Sequence, residues 1–179
     1  MVPPRTSTSD SFCLFSTAIG SCAIAWSARG VTSVWLPEQT ERDTRARVAR
    51  RFPQSLESTP PPFVQHAIEG IVALLTGEAR DLSDVPLDLE SVPSFHQRVY
   101  EVARRIKPGT TLSYGEVAAR VGEPDSARAV GQALGRNPIP IIVPCHRVLA
   151  ADGGTGGFSA PGGTATKLRL LAIEGARLL

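Results

Sequence analysis

Ile141-Ile142-Val143-Pro144-Cys145-His146-Arg147-Val148 is the stretch around which the rest of the chain makes sense. Its first three residues are apolar and β-branched, which reads as a buried strand or extended segment. Pro144 stops that segment by removing a backbone donor. Cys145 then stands at the end of a rigid element, with His146 beside it and Arg147 adding positive potential, a setting that can favour thiolate over thiol. Taken alone, a cysteine after an apolar run reads more often as a small buried hydrophobe than as a nucleophile. Neighbouring residues of an extended chain also point to opposite faces. Cys145 and His146 can therefore act together only if the chain turns there or a water bridges them.

Upstream, Asn137-Pro138-Ile139-Pro140 ties this segment to a helix expected to be capped by Asp125 and to run to about Gly135. Val130, Ala133 and Leu134 give that helix a core side, while Arg128, Gly131 and Gly135 share another face. An interior glycine costs about 1 kcal/mol relative to alanine, so two of them need a reason. One reason is close packing against another element. The other is a helix smoothed so that its backbone can lie against something narrow, with Arg128 projecting. A DNA minor groove fits that description better than the major groove, whose readout needs long polar side chains. Arg128 would then wedge into the base stack, and a base would have to be extruded to reach a thiol lying behind the helix.

The same region carries two further helix starts. Ser113-Tyr114-Gly115-Glu116 has the form of a capping box, opening a short helix that ends at Gly122. With the Arg128 helix it outlines a helix-turn-helix. Ser94-Phe95-His96-Gln97 has the same form and opens a helix with Phe95, Val99, Val102, Ala103 and Ile106 on one face, ended by Lys107-Pro108-Gly109. Arg98, Arg104 and Arg105 fall off that stripe, toward water or phosphate.

Downstream, residues 152–163 are too glycine-rich for regular structure and lack the Gly-Lys-Ser/Thr ending of a phosphate-binding loop. They read as a pocket wall whose backbone approaches a ligand. A last helix, about Thr164 to Glu174, should bury Leu168, Leu171 and Leu170. Glu174 sits in its final turn, where the helix dipole disfavours a carboxylate. It is either an exposed acid or the group that orients His146, giving a Cys145, His146, Glu174 relay of nucleophile, base and orienter.

The first half carries no such chemistry. Runs at 12–17, 22–26 and 31–36 predict a small antiparallel meander. Residues 38–51 predict an exposed helix whose arginines form a solvated face, residues 63–77 a second helix, and Val85 to Leu89 a last strand. Pro93 marks the boundary between a domain at 1–92 and one at 93–179. Of the 179 residues, the first 92 hold eight Lys and Arg against eleven Asp and Glu, and the remainder eleven against six. A polyanion would therefore meet the second half. Cys13, Cys22 and Cys145 form neither a disulfide framework nor a zinc pattern with the scattered His66, His96 and His146. No apolar run nears the roughly 20 residues of a membrane span, and Met1 to Asp10 has no signal-peptide core. A cytoplasmic protein with no membrane partner is expected.

With Pro144-Cys145-His146-Arg147-Val148, Arg128-Ala129-Val130-Gly131, Asn137-Pro138 and Leu170-Leu171-Ala172-Ile173-Glu174-Gly175 in view, the sequence resembles the O6-alkylguanine-DNA alkyltransferases, densely over 93–179 and in general plan before that. The resemblance implies an α/β N-terminal domain of ribonuclease-H-like topology and a mainly helical C-terminal domain with a helix-turn-helix in the minor groove. It implies single-turnover transfer of an alkyl group from O6-alkylguanine in duplex DNA to the protein after base flipping, with O4-alkylthymine a possible second substrate. It makes Cys145 the acceptor, His146 the base acting through a water, Glu174 its partner and Asn137 the brace around the thiol. Tyr114, Val148 and Ser159 would contact the base, and Ala127, Arg128, Ala129, Gly131 and Gln132 the DNA. No cofactor or metal is implied here, and a monomer is expected without DNA. Phe158, where many members have tyrosine, and a longer loop at Ala160 to Gly163 depart from the family pattern. Two other classes stay open on residues alone: a cysteine protease or amidase, which would need an oxyanion hole and a peptide cleft, and a DNA-binding module in which Cys145 is inert.

Overall fold

A computed structural model of the chain describes residues 11–177, so the expectation for Met1 to Asp10 lies outside the described residues. The first half opens with three strands, β1 (Ser11–Thr17), β2 (Gly20–Ser27) and β3 (Gly30–Trp35), followed by α1 (Glu41–Arg51), β4 (Leu56–Glu57) and α2 (Pro62–Leu75). The predicted meander forms, with β1 and β3 antiparallel to β2. The fourth strand differs from expectation. It is the two-residue β4, which pairs parallel to β1 and makes the sheet mixed, in the order β3-β2-β1-β4. Val85 to Leu89 forms only an isolated bridge, Leu87 to Val31.

The sheet is covered on both faces, and β2 shows why its sequence reads as a continuous apolar run rather than an alternation. Its small residues Ala23 and Ala25 pack with Phe12, Trp35, Val48 and Phe52 under α1. Cys22, Ile24 and Trp26 point the other way, toward Val64, Ala67, Ile68 and Ile71 of α2. Each large apolar side chain buried this way contributes about 1.5–3 kcal/mol before chain entropy is charged against it. The second apolar layer does not stop at residue 92, because Val99, Tyr100, Val130, Ile139 and Cys145 belong to the same contiguous cluster.

The second half is helical apart from a two-stranded parallel ladder. It contains α3 (Ser94–Arg104), β5 (Leu112–Ser113), α4 (Tyr114–Val121), α5 (Ala127–Gly135), a short 3₁₀ turn (Cys145–Arg147), β6 (Val148–Leu149) and α6 (Gly163–Ile173). The capping box at α4 forms as expected: Ser113 accepts from the Glu116 backbone N–H and the Glu116 carboxylate accepts from that of Ser113. Gly122 closes the helix at φ 89°, a left-handed conformation that glycine adopts without a Cβ penalty.

Four local expectations fail for identifiable reasons. No side-chain cap forms at α3; the Gln97 amide instead donates to the carbonyls of Leu89 and Val92, stapling the loop that precedes the helix. The N-cap of α5 is Ser126, not Asp125, and again no side chain caps it. Leu168 is exposed, because the buried stripe of α6 runs through Lys167, Leu170 and Leu171. Arg104 does not face water: it is half-buried and donates to the carbonyls of Leu82 and Val85, whereas Arg98 and Arg105 stay exposed as expected, Arg98 in a pair with Glu123. Among the described residues no helix is long and apolar enough to cross a membrane.

Candidate functional site

The segment before the cysteine is a turn and not a strand. Ile141 holds φ 72°, a conformation that costs a β-branched residue about 1–3 kcal/mol and persists only where its surroundings enforce it. Here the enforcement is visible. Asn137 donates from its side chain to the Val143 carbonyl at 2.9 Å and accepts from the Ile139 N–H at 2.9 Å. The Val143 N–H closes the turn on the Ile139 carbonyl, and the β3 residue Val34 donates to the Pro138 carbonyl, both at 2.9 Å. An apolar run therefore becomes a braced loop because one amide side chain meets its backbone groups. It delivers Cys145 into the 3₁₀ turn, whose N–H bonds to the Val143 carbonyl at 2.8 Å. The chain does turn at Cys145-His146, as a working pair would require.

Cys145 is only 8% exposed. Burial pushes its thiol up, against the opposing effects of the Asn137 side chain, the Lys167 charge and nearby backbone N–H groups. This corrects the expectation that the neighbouring cations alone favour thiolate. Arg147 is engaged elsewhere: it donates to both carboxylate oxygens of Glu174 at 2.7–3.2 Å and to the Ile106 carbonyl at 2.6 Å.

His146 is 1% exposed, and its Nε2 lies 2.9 Å from Glu174 Oε1. Burial acts to raise the Glu174 carboxyl, but the hydrogen bonds from His146 and Arg147 outweigh it and hold the group down to about 2. An ionised carboxylate only accepts, so Nε2 carries the imidazole proton and Nδ1 presents a lone pair. Nδ1 is buried and has no hydrogen-bond partner among the described residues. Burial also pushes the imidazole down, with Glu174 pulling it back up. The result is a neutral histidine, fixed in one tautomer, with an open basic nitrogen. Glu174, at the C-cap of α6, is thus compensated for its unfavourable position by two buried partners.

Lys167 was not anticipated. It is 1% exposed, donates to the Val148 carbonyl at 2.7 Å and stands 5.7 Å from the Tyr114 ring centroid. A signal was available: Lys167, Leu170, Leu171 and Glu174 fall on one helical stripe. A lysine and a glutamate within that apolar stripe are both misplaced unless they serve something buried.

Two cavities flank these groups. A groove of about 570 Å³ is lined by Tyr114, Ala127, Arg128, Gly131, Gln132, Gly135 and the loop at 156–159. Ala129 does not line it. Gly156, at φ 63°, is required there because a Cβ would stand 2.5 Å from the Tyr114 hydroxyl. A second cavity, of about 410 Å³, holds Cys145 and Asn137 and shares Phe158 and Ser159 with the groove. Its outer wall includes Arg47, Arg50 and Arg51 of α1, so those side chains line a cavity and do not form only a solvated face. The Val148 side chain is fully buried and its carbonyl already accepts from Lys167. Cys13 and Cys22 lie in the sheet core as free thiols, and among the described residues no three His, Cys, Asp or Glu side chains gather as a metal site.

Comparison with known proteins gives a consistent result. Residues 94–176 match the family model described as 6-O-methylguanine DNA methyltransferase, DNA binding domain. A methylated-DNA–protein-cysteine methyltransferase of Methanothermobacter thermautotrophicus is 36% identical over 87% of this chain and 80% of its own length. One of Mycobacterium bovis is 39% identical over 89% of this chain and 88% of its own. The crystal structure of Mycobacterium tuberculosis OGT in complex with DNA superposes with a TM-score of 0.74, at 36% identity over 92% of both chains. The O6-methylguanine-DNA methyltransferase of Pyrococcus kodakaraensis superposes with a TM-score of 0.72, at 27% identity over 92% of this chain and 99% of that one. By sequence along most of its length and by fold, the chain belongs to the methylated-DNA–protein-cysteine methyltransferase family.

Proposed function

We propose that Cys145 accepts the alkyl group of O6-alkylguanine in duplex DNA, once per protein molecule, with O4-alkylthymine as a second substrate. The observation that carries this reading is the isolation of one thiol between a His146–Glu174–Arg147 network and a cavity that shares Phe158 and Ser159 with the groove along α5. The resting thiol is protonated, so the step begins with a proton leaving sulfur. The open Nδ1 of His146 receives it through a water, and Glu174 steadies the resulting imidazolium. Sulfur then attacks the saturated carbon in line: an S–C bond forms, the C–O6 bond breaks, and the electron pair left on guanine is met by a proton. Tyr114 is the donor best placed for that proton, since it lines the groove and packs against the loop carrying Ser159. A thioether cannot be reversed by any group in the site, and no cofactor is needed.

The DNA face is α5, the second helix of a helix-turn-helix formed with α4. Its glycines support this reading. A Cβ at Gly135 would meet nothing within 4 Å, and at Gly131 it would meet only the Tyr114 ring at 3.8 Å. Packing inside the protein therefore does not explain them, whereas a minor groove that needs close backbone approach does. Arg128, exposed at the second residue of α5, fills the stack vacated by the flipped base. Ala127, Gly131 and Gln132 track the groove; Ala129, half-buried, supports it. The base enters past Tyr114 and Ser159, while Val148, its carbonyl held by Lys167, backs the site from outside both cavities. A domain of ribonuclease-H-like plan at 1–92 backs the acceptor domain at 93–179. The protein acts as a monomer before DNA binding, and its three free thiols suit a reducing cytoplasm.

Intact-protein mass after incubation with a duplex containing one O6-methylguanine tests the proposal. One stoichiometric gain of a methylene mass is expected, absent in Cys145→Ala and mapping to Cys145 rather than Cys13 or Cys22. Binding without any mass gain would leave a DNA-binding module with an inert cysteine. Repeated turnover on an ester would favour the hydrolase.

A further inference from the structure

The cavity at the nucleophile is larger than a methyl group requires, and its far wall is basic. At about 410 Å³ it falls within the range of small-ligand pockets, about 300–1,000 Å³, whereas a methyl group is close in size to a water molecule, about 30 Å³. Cys145, Pro140 and Ser159 form its inner side and Arg47, Arg50 and Arg51 part of the outer, with no Asp or Glu among the described residues that line it. The wall is held in place by the edge-to-face pair of Trp35 and Phe52 at 5.8 Å, which locks α1 onto the sheet. Its three cations differ in how far they are already engaged. Arg51 stacks over the Phe52 ring at 4.8 Å. Arg47 Nη1 lies 2.9 Å from Glu38 Oε1, yet the atom is buried and makes no hydrogen bond of adequate alignment. Arg50 is exposed along the rim. Cation density and an underused buried donor thus face the space into which a substituent on guanine O6 would extend.

We infer that Arg47, Arg50 and Arg51 recognise an anionic O6 substituent, so that carboxyalkylated guanines, O6-carboxymethylguanine being the smallest, are preferred over neutral adducts of equal size. This rests on the alkyl-transfer reading of Cys145. The chemistry explains why a basic wall matters. When sulfur, its proton already lost, attacks the CH₂ of an O–CH₂–COO⁻ group, the thiolate's negative charge approaches a carboxylate of the same sign. Guanidinium donors on the far side of that carboxylate offset the repulsion and hold the carbon in line. The step balances as it does for methyl. The thiol loses its proton, S–CH₂COO⁻ forms, the C–O6 bond breaks, and guanine takes up a proton. The product S-carboxymethylcysteine keeps its carboxylate on the same wall.

A phosphate of the DNA backbone would offer these arginines the same charge, and the experiment separates the two sources. Duplexes carrying O6-methyl-, O6-carboxymethyl- or the neutral, nearly isosteric O6-carbamoylmethylguanine are compared in two ways. Single-turnover transfer is followed by intact mass, and binding to the Cys145→Ala protein by fluorescence anisotropy. Both readouts should favour carboxymethyl over carbamoylmethyl. Arg47→Gln and Arg50→Gln should each reduce that preference by about tenfold, the scale of one charge-assisted hydrogen bond, with methyl transfer unchanged, and Arg50→Glu should reverse it. Equal losses on all three duplexes would reassign the arginines to backbone phosphate and overturn the inference. A preference absent from the wild type, or surviving every substitution, would do the same. If binding retains the carboxymethyl preference while no alkyl group moves, recognition stands and the transfer reading fails.

Discussion

Cys22 and Cys145 are both buried thiols, and the contrast between them shows that burial is not what makes a cysteine chemical. Cys22 sits in the sheet core with Thr17 Oγ1 at 3.8 Å as its polar neighbour, and burial pushes its thiol up to about 12. Cys13, on the neighbouring strand, is pushed up to about 11, first by burial and then by the charge of Glu57. Burial raises Cys145 as well, but there an amide side chain, a buried ammonium and two backbone N–H groups act against it. Among the described residues the sheet strands bury hydroxyls at Ser27, Thr32 and Ser33 but no lysine, arginine or histidine. The acceptor region instead buries Lys167, His146, Arg147 and Glu174 together, a choice that a purely structural core would avoid because each charge must find a partner.

The largest way to break this contrast is to unbalance the buried charges at Glu174. Glu174→Gln leaves Arg147 buried without its anion, so a stability loss of about 3–5 kcal/mol is expected, the usual result of removing one partner of a buried pair. The pH dependence identifies the cause. The folded carboxyl lies at about 2, below its ordinary 4.5. Its contribution is therefore fully present above pH 4.5 and lost as pH falls toward 2; the shift corresponds to about 3 kcal/mol. Urea unfolding at several pH values should show that loss in the wild type and a flatter profile in Glu174→Gln. Equal slopes in the two proteins would mean that the network does not stabilise the fold. Alkyl transfer should also slow, because His146 loses both its fixed tautomer and its counter-charge.

Lys167→Met sharpens the contrast with a smaller effect. Methionine keeps the apolar stem on the α6 stripe and removes the charge that opposes burial at Cys145. Thiolate formation should move to higher pH. The single-turnover rate at pH 7 should fall by about tenfold for each unit of that movement and recover as pH rises. A rate reduced equally at every pH would make Lys167 a brace for the Val148 carbonyl and nothing more.

What could be read in advance followed the same division. The strands, α2 and the α4 capping box were legible because local pattern and tertiary role agree there. The turn at Ile139 to Val143 was misread because its apolar run has strand character. The deciding interaction, the Asn137 amide on the Val143 carbonyl, comes from outside the run. Ser94 looked like a cap, but Gln97 reaches back to Leu89 and Val92 instead of to the helix start. The two-residue β4 is too short to leave a pattern. In the site, Cys145, His146 and Glu174 were legible as types out of place. Lys167 was equally out of place on its stripe, but its meaning depends on the Val148 carbonyl, a contact that no spacing rule encodes. The arginines of α1 read as a solvated face because their stretch is densely charged; that one edge of the helix borders the cysteine cavity is a property of the assembled fold.

The finest comparison is between two helix glycines. A Cβ at Gly70 on α2 would crowd Leu82 Cδ2, the movable end of a buried leucine, so this glycine meets packing inside the protein, and in Gly70→Ala the displacement of Leu82 should offset the gain that helix propensity offers. At Gly135 on α5 a Cβ would meet nothing within 4 Å. Gly135→Ala should therefore stabilise the free protein by about 0.5–1 kcal/mol through helix propensity alone. The same methyl group would project from the face assigned to the minor groove, so affinity for undamaged duplex should fall even as the melting temperature rises. Opposite signs for stability and binding at Gly135, set beside the absence of a stability gain at Gly70, are what a surface shaped for an external partner produces. If Gly135→Ala bound DNA as tightly as the wild type, the smooth face of α5 would lose its connection with the duplex, and the groove beside Tyr114 would have to be approached from elsewhere.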